Sequence, residues 1–145
     1  MGSPTLKQTK PRILAYELPG EWTLFVGASD ADNDYLSTQV AEPNDWWFHA
    51  DGVPGSHVIL RGKPNDEPGK ETLRQAASVA AYHSKARNTG TTPVHCTRAR
   101  YVKKPRGVKT GTVQVAHGTT LKVRPDISFA TRVKSAFETS RKAKE

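Results

Sequence analysis

The sequence predicts one α+β domain, in which a mixed or antiparallel sheet packs against one long helix and one or two short helices. Glycine and proline make up 21 of the 145 residues and only 35% of the residues are hydrophobic, which indicates a loop-rich chain. Short stretches of β-branched and aromatic residues recur between turn signals, as expected for strands. One stretch near the middle of the chain has the apolar spacing of an amphipathic helix. A chain of this length supports a single hydrophobic core.

The first predicted elements are a β-hairpin and a short helix. Residues 13–18 and 22–26 have strand composition, and Pro19-Gly20 between them favours a turn. Ser29 with an acidic residue three positions later matches a helix-capping pattern. The short helix that follows is expected to turn three side chains towards the core: Tyr35, Leu36 and Val40.

Residues 45–61 have the most unusual composition in the chain. They contain two of the three tryptophans, two of the five histidines and a Pro-Gly turn. We expect two strands here, separated by Gly52-Val53-Pro54-Gly55. Because side chains alternate along a strand, Trp47 and His49 share one face. That face could stack a nucleic-acid base, and the alternative is that all three aromatic rings of the strand belong to the core.

The strongest helical pattern covers residues 71–87. Its closing segment, Ser84-Lys85-Ala86-Arg87, carries two cations that could either compensate the helix dipole or contact phosphates. The basic turn Lys103-Lys104-Pro105-Arg106 adds further cations to these two, so we favour the phosphate interpretation. The buried side of this helix is expected to consist of small apolar residues: Leu73, Ala76, Ala77 and Ala80.

The C-terminal part of the chain predicts a second hairpin and a terminal helix. Residues 112–116 and 119–123 have strand composition, with His117-Gly118 as the turn between them. Residues 127–145 are expected to form a helix or tail, in which apolar residues recur four apart: Phe129, Val133 and Phe137.

Charge is unevenly distributed along the chain. From residue 98 to the end there are 13 Lys/Arg and 3 Asp/Glu, whereas the first 97 residues carry 9 and 11. This asymmetry favours a polyanionic partner, above all nucleic acid, over a basic surface that only aids solubility. An anionic membrane is disfavoured, since no amphipathic helix with anchoring aromatics is present. No apolar run is long enough to span a bilayer, and the single cysteine fits a reducing compartment, so we expect a cytoplasmic protein.

Catalytic and metal sites are not indicated by the spacing of reactive residues. The histidines and Cys96 show no zinc-binding spacing, so we expect neither a metal nor a cofactor. His95 adjoins Cys96 in a predicted strand, where neighbours point to opposite faces, so they are not placed as a thiolate–imidazole pair. We therefore expect a non-catalytic protein. One alternative stays open at this point, an enzyme that uses the His/Asp/Ser cluster as acid–base groups.

Several motifs, taken in order, resemble the NFACT-R domain, which occurs near the C-terminal end of bacterial fibronectin-binding-protein-A homologues and their eukaryotic relatives. The resemblance covers roughly residues 12–126. It is carried by Asn33-Asp34-Tyr35-Leu36, Asp45-Trp46-Trp47-Phe48-His49, Val53-Pro54-Gly55-Ser56-His57-Val58-Ile59-Leu60, the stretch 76–87, Val102-Lys103-Lys104-Pro105-Arg106-Gly107 and Thr120-Leu121-Lys122-Val123-Arg124-Pro125.

The resemblance implies an RNA-binding domain whose ligand is structured RNA, either tRNA or rRNA. Two alternatives stay open beside it: an RNA-modifying enzyme or enzyme subunit that uses the His/Asp/Ser cluster, and a ribosome-bound adaptor protein. Full-length relatives act in ribosome-associated quality control and bind the large ribosomal subunit; this chain looks like a free-standing bacterial form or an excised fragment. We expect a flexible basic tail at 1–11, the RNA-binding domain at 12–126 and a basic helix or tail at 127–145. The expected RNA-contacting residues are Trp47, His49, Ser56, His57, Arg61, Ser84, Lys85, Arg87, Lys103, Lys104 and Arg106.

Overall fold

The computed structural model describes residues 11–137, so the predicted tail at 1–11 lies almost entirely outside the described residues. Two α-helices are present in this range, α1 (Asp30–Tyr35) and α2 (Lys70–Tyr82). The strands are β1 (Ile13–Leu18), β2 (Trp22–Gly27), β3 (Trp46–Ala50), β4 (Val58–Leu60), β5 (Thr92–Arg98), β6 (Val102–Lys103), β7 (Gln114–Val115), β8 (Thr119–Val123) and β9 (Thr131–Val133).

Seven of these strands form one antiparallel sheet in the order β8-β5-β3-β4-β2-β1-β9. The short strands β6 and β7 pair with each other as a separate ribbon. The predicted α+β class with a sheet and one long helix is confirmed. The predicted first hairpin is also confirmed, since β1 and β2 pair with Leu18 opposite Trp22.

The main core lies between the sheet and α2. Alternate side chains of the strands point towards the helix, so Phe48, Val58 and Val94 are fully buried in this layer. The helix presents small side chains to them, which lets its backbone approach the sheet closely. The predicted stripe is confirmed here, with Ala76, Ala77 and Ala80 buried and Leu73 packed at its edge.

A second core lies on the opposite face of the sheet. Trp47 and Ile59 are cross-strand partners on this face, and both are almost completely buried. They are covered by Leu36, which lies on a wider helical turn that continues α1 to Val40, and by valines on and beside the β6–β7 ribbon. Both faces of the sheet are therefore covered.

The capping prediction for α1 is confirmed, but the predicted burial of Tyr35 is not. The Ser29 hydroxyl accepts a hydrogen bond from the backbone N–H of Asp32 (3.2 Å). Leu36 is fully buried, whereas Tyr35 is 37% exposed and its ring contacts Phe137 edge-on. The prediction used the spacing of a regular α-helix. The chain instead forms a wider turn after Tyr35, which changes the angle between successive side chains.

The prediction that α2 continues to residue 87 is wrong, because the helix ends at Tyr82. His83 leaves the helical region of backbone angles, and the next residues pair with the loop between β3 and β4. The backbone N–H of Ser56 donates to the carbonyl of His83, and that of Lys85 donates to Pro54 (both 2.9 Å). These tertiary hydrogen bonds override the intrinsic helix propensity of the residues after Tyr82, so the helix ends there.

The predicted second hairpin is also wrong, and the predicted helix or tail at 127–145 lies partly outside the described residues, which end at 137. β7 pairs with β6, while β8 pairs with β5 at the edge of the main sheet, so the turn at His117-Gly118 joins two different sheets. Residues 131–133 form β9 and extend the sheet beside β1 instead of opening a helix, so the folded part continues beyond 126. The apolar residues that suggested a helix are used separately, Phe129 on the α2 side and Phe137 on the opposite side.

We predict that Gly55→Ala destabilises the fold by about 1–3 kcal/mol, the usual cost of inserting a methyl group into a packed contact. An added Cβ at this position would lie 2.7 Å from the Cβ of Ser84 and 3.2 Å from the carbonyl of His83. Urea denaturation measures the change. Gly69→Ser is the matched control, since nothing lies within 4 Å of a Cβ there and serine is a favoured N-cap for α2. Equal stability of Gly55→Ala and the parent chain would contradict the close packing described here.

Candidate functional site

The loop from Asp51 to His57, which joins β3 to β4, separates two clefts. On one side lies a cleft of about 410 Å³, here called the cation cleft, lined among others by Ser29, Asn33, Ser56, Tyr82, Lys85 and Arg87. On the other side lies a cleft of about 350 Å³, here called the histidine cleft, lined among others by His49, Asp51, His57, His95, Thr112 and Val113. Seven of the expected RNA-contacting residues are divided between these two clefts, and the other four line neither: Arg61, Lys103, Lys104 and Arg106.

The cation cleft is built where the end of α2 meets the β3–β4 loop. The Ser84 hydroxyl donates to the carbonyl of Ala81 (2.7 Å) and accepts from the N–H of Ala86 (3.0 Å), which fixes the turn after the helix. This turn exposes Lys85 and Arg87 to solvent. The guanidinium of Arg87 lies over the ring of Tyr82, 4.1 Å from its centre. Two exposed cations are thus held on a rigid turn at the mouth of the cleft.

Ser56 and Ser84 reach the cation cleft as expected, but both hydroxyl groups already donate to the protein. Ser56 Oγ donates to the carbonyl of Gly27 (2.7 Å), which ties the loop to the end of β2. Their oxygens can still accept hydrogen bonds, whereas a phosphate would need donors. Their role in this cleft is therefore to position the loop and the turn.

The sequence did not single out Tyr82 and His83, which also line the cation cleft. Both were hidden inside the predicted helix. His83 Nε2 lies 2.9 Å from the hydroxyl of Tyr16. Burial, with Arg87 and Arg132 nearby, lowers the pKa of His83 to about 4, so its imidazole is neutral at pH 7.

The histidine cleft arises from the register of three strands. His49 on β3 lies directly opposite His95 on β5. Val58 lies opposite Phe48, so His57, one position earlier, comes beside His49, with ring centroids 5.4 Å apart. The predicted faces of these strands are confirmed, and a cross-strand pairing that no local pattern encodes brings the three imidazoles together.

A hydrogen-bond chain beneath the cleft fixes the state of His57. The indole N–H of Trp47 donates to Ser37 Oγ (3.1 Å), and this oxygen lies 2.8 Å from His57 Nδ1. Because an indole N–H can only donate, we assign the Ser37 hydroxyl hydrogen to His57 Nδ1. Burial lowers the pKa of His57 to about 4, so it is neutral at pH 7 and carries its proton on Nε2.

Trp47 is only 3% exposed, so its ring is a floor of the cleft and not a free stacking platform. His49 lies above this floor, with its ring 6.0 Å from that of Trp47 and inclined by 22° to it. It is half-buried, and burial lowers its pKa below the ordinary value. His49 and His95 are therefore the partly accessible rings of this face.

Arg61 lies outside both clefts. It donates to Asp45 (2.8 Å) and approaches Glu42 at 3.1 Å. Asp45 is 1% exposed and also accepts from the N–H of Gly62, so Arg61 neutralises a buried carboxylate. Its position indicates a structural role, which the anion-binding interpretation did not anticipate.

The basic turn after β6 contains two kinds of cation. Lys104 donates to the carbonyls of Lys109 and Thr112 and lies 3.4 Å from Asp34, so it holds the loop against α1. Lys103 and Arg106 are exposed. Neither forms a salt bridge with another of the residues from 11 to 137. Of the three cations in this turn, only Lys103 and Arg106 are available to bind a ligand.

The sequence singled out Cys96 and the histidines as candidate metal ligands and nucleophiles. Residues 11–137 contain no group of three or more His, Cys, Asp or Glu that could hold a metal ion. Burial raises the pKa of the Cys96 thiol to about 12, so it remains protonated. Ser37 and His57 are within hydrogen-bond distance, and both are buried. In the same range, no helix is long and apolar enough to cross a membrane.

Comparison with known families and proteins gives a consistent result. The model of the NFACT protein RNA binding domain matches residues 14–117. The Rqc2 homolog RqcH of Bacillus subtilis is 38% identical over 135 residues, and that of Streptococcus suis is 38% identical over 120 residues. These matches cover 93% and 82% of this chain but only 23% and 21% of the relatives, so the chain spans less than a quarter of their length.

A solved structure also matches. It is the C-terminal part of the fibronectin/fibrinogen-binding protein from Streptococcus suis, with a TM-score of 0.74 and 35% identity. The match covers 86% of this chain and 49% of that one. The similarity in sequence and in structure therefore extends over most of the sheet described above.

We predict that His57 makes stability depend on pH. Its pKa is about 4 in the folded protein and near 6.5 when exposed, so the unfolded chain binds more protons between these values. The free energy of unfolding should therefore fall as the pH is lowered from 6.5 to 4, with a contribution of up to about 3 kcal/mol from this residue.

Urea denaturation at a series of pH values measures this effect. His57→Gln should reduce the pH dependence without abolishing it, because His83 contributes with the same sign. His117→Asn is the control, since His117 is exposed and its positive φ is tolerated by asparagine. An unchanged pH dependence in His57→Gln would contradict the neutral, buried state assigned to His57.

Proposed function

The chain belongs to the family of NFACT protein RNA-binding domains, and on this premise we propose that it binds structured RNA through the cation cleft and the basic turn after β6. The ligand we propose is tRNA or rRNA, in the cytoplasm. Since relatives of this chain are Rqc2 homologs, we propose a role in ribosome quality control, with the large ribosomal subunit as the site of action.

The main support for this proposal is which of the cations form salt bridges with carboxylates and which do not. Arg61, Lys63, Arg98 and Lys104 each form a salt bridge with a carboxylate. Exposed cations that form no salt bridge among residues 11–137 include Lys85, Arg87, Lys103, Arg106, Lys122 and Arg124. A cation with no carboxylate partner can neutralise a phosphate without first losing an ion pair.

The cation cleft adds shape to this charge. Lys85 offers a flexible ammonium group, whereas the guanidinium of Arg87 is held in place by Tyr82. A held guanidinium can donate two parallel hydrogen bonds to one phosphate or stack on an unpaired base. Asp30 also lines the cleft, so we place the phosphate on the side of the two cations. The cleft is suited to a folded RNA backbone.

The alternatives are less well supported. The enzyme hypothesis relied on the His/Asp/Ser cluster as acid–base groups, and in the structure His57 is buried and the Ser56 hydroxyl already donates to the carbonyl of Gly27. The adaptor hypothesis requires that the unpaired cations do not contribute to binding. We therefore propose a non-catalytic role for this domain.

We predict that Lys85→Ala weakens binding to tRNA and reduces the slope of log Kd against log salt concentration by about 1, as expected for the loss of one phosphate contact. Fluorescence anisotropy of labelled tRNA at several salt concentrations measures both. Lys70→Ala is the matched control, since Lys70 is an exposed lysine at the opposite end of α2. Binding by the parent chain that is independent of salt, or equal slopes for Lys85→Ala and the parent, would argue against the cation cleft as the contact surface.

We predict that the two lysines of the basic turn have separable effects. Lys103→Ala should weaken RNA binding and leave the thermal unfolding midpoint unchanged. Lys104→Ala should lower the midpoint as well, because Asp34 and two carbonyls lose their shared partner. Thermal unfolding with salt-titrated binding distinguishes the two. If Lys104→Ala behaves like Lys103→Ala in both assays, the structural role of Lys104 is refuted.

A further inference from the structure

The histidine cleft has a chemical character unlike that of the cation cleft. None of the residues that line it is a lysine or an arginine, and its one carboxylate is Asp51. Burial lowers the pKa values of His49 and His57, which disfavours the charged form of both imidazoles. With no lysine or arginine and one carboxylate in its lining, the cleft is better suited to a neutral ligand than to a phosphate.

Two layers of the fold line the histidine cleft. One wall is the face of the main sheet, where His49 is stacked on Trp47. The other wall comes from the loop and ribbon that pack over this face, and includes Val113 and Val115. A volume of about 350 Å³ between an imidazole wall and an apolar wall suits a planar heteroaromatic ring.

Polar groups at the rim of the histidine cleft favour a ligand that can form hydrogen bonds with them. The carboxylate of Asp51 is exposed and can only accept, while the exposed Thr112 hydroxyl can donate and accept. Among the four RNA bases, guanine presents two adjacent N–H donors on its Watson–Crick edge, which match the two oxygens of one carboxylate. Such recognition is open only to a base that is not paired.

The loop between β3 and β4 lies between the two clefts and borders both of them. Asn33 is buried behind this loop, where Oδ1 accepts from the N–H of His57 (2.9 Å) and Nδ2 donates to the carbonyl of Gly55 (3.4 Å). The loop is thus a fixed ridge, with Lys85 on one side and His49 on the other. An RNA strand that crosses this ridge could place a phosphate on the first side and a base on the second.

We propose that the histidine cleft holds one unpaired guanine of the bound RNA, stacked on His49 with its Watson–Crick edge at Asp51. This inference rests on the proposed RNA-binding function and assigns to it a base-reading subsite distinct from the phosphate contacts.

The test compares three RNA hairpins that differ only at one position: a fully paired stem, the same stem with a bulged guanosine, and the same stem with a bulged uridine. The parent chain should bind the guanosine bulge roughly tenfold more tightly than the paired stem, since an unpaired base can stack on the His49 ring and a paired base cannot. His49→Ala should remove this preference and leave the affinity for the paired stem unchanged. Asp51→Asn should reduce the preference for guanosine over uridine.

Three further variants keep the outcome interpretable. His49→Phe retains a ring and should retain the preference for a bulged base. Lys85→Ala should weaken binding to all three RNAs by the same factor, and His117→Asn should leave all three unchanged. Equal affinity of the parent chain for paired and bulged stems, or a preference that survives His49→Ala, overturns the inference while salt-dependent binding still supports the proposed function. Absence of salt-dependent binding to every hairpin instead overturns the proposed function itself.

Discussion

The side chain of Asn33 is the interaction on which both clefts depend. It is 4% exposed, and its amide holds the β3–β4 loop through hydrogen bonds to the backbone of Gly55 and His57. Space for it exists because residue 27 is glycine, where an added Cβ would lie only 2.2 Å from Asn33 Oδ1. A buried amide with two backbone partners is costly to remove, since each partner would be left unsatisfied. A short segment at the start of the fold thus determines the position of a loop more than twenty residues away.

Local patterns predicted the parts of this fold that depend on local physics. The alternation of β3 placed Trp47 and His49 on one face, and the capping residue Ser29 marked the start of α1. The misassigned parts depend on distant partners: β8 joins β5, and β9 joins β1. The end of α2 belongs to this group, because the loop at Gly55 pairs with the residues that would have continued the helix. Pairing across the chain is not encoded in the spacing of neighbouring residues.

The candidate site shows the same division. Net charge and the cluster of basic residues indicated a polyanionic partner, but they did not distinguish Lys103 from Lys104 or Arg87 from Arg61. That distinction depends on which carboxylates lie nearby, and Asp34 and Asp45 reach their partners only through tertiary contacts. The composition therefore indicated the type of partner, while the structure separates the exposed cations without a carboxylate partner from those that hold the protein together.

The burial of Cys96 has a practical consequence. Its thiol is 3% exposed in the core between the sheet and α2, and it is the single cysteine of the chain. A protonated, enclosed thiol does not react with alkylating reagents, so modification requires the sheet to open around it. Alkylation of this one atom therefore reports how often the central strands separate, and any RNA that binds only the folded state should slow it.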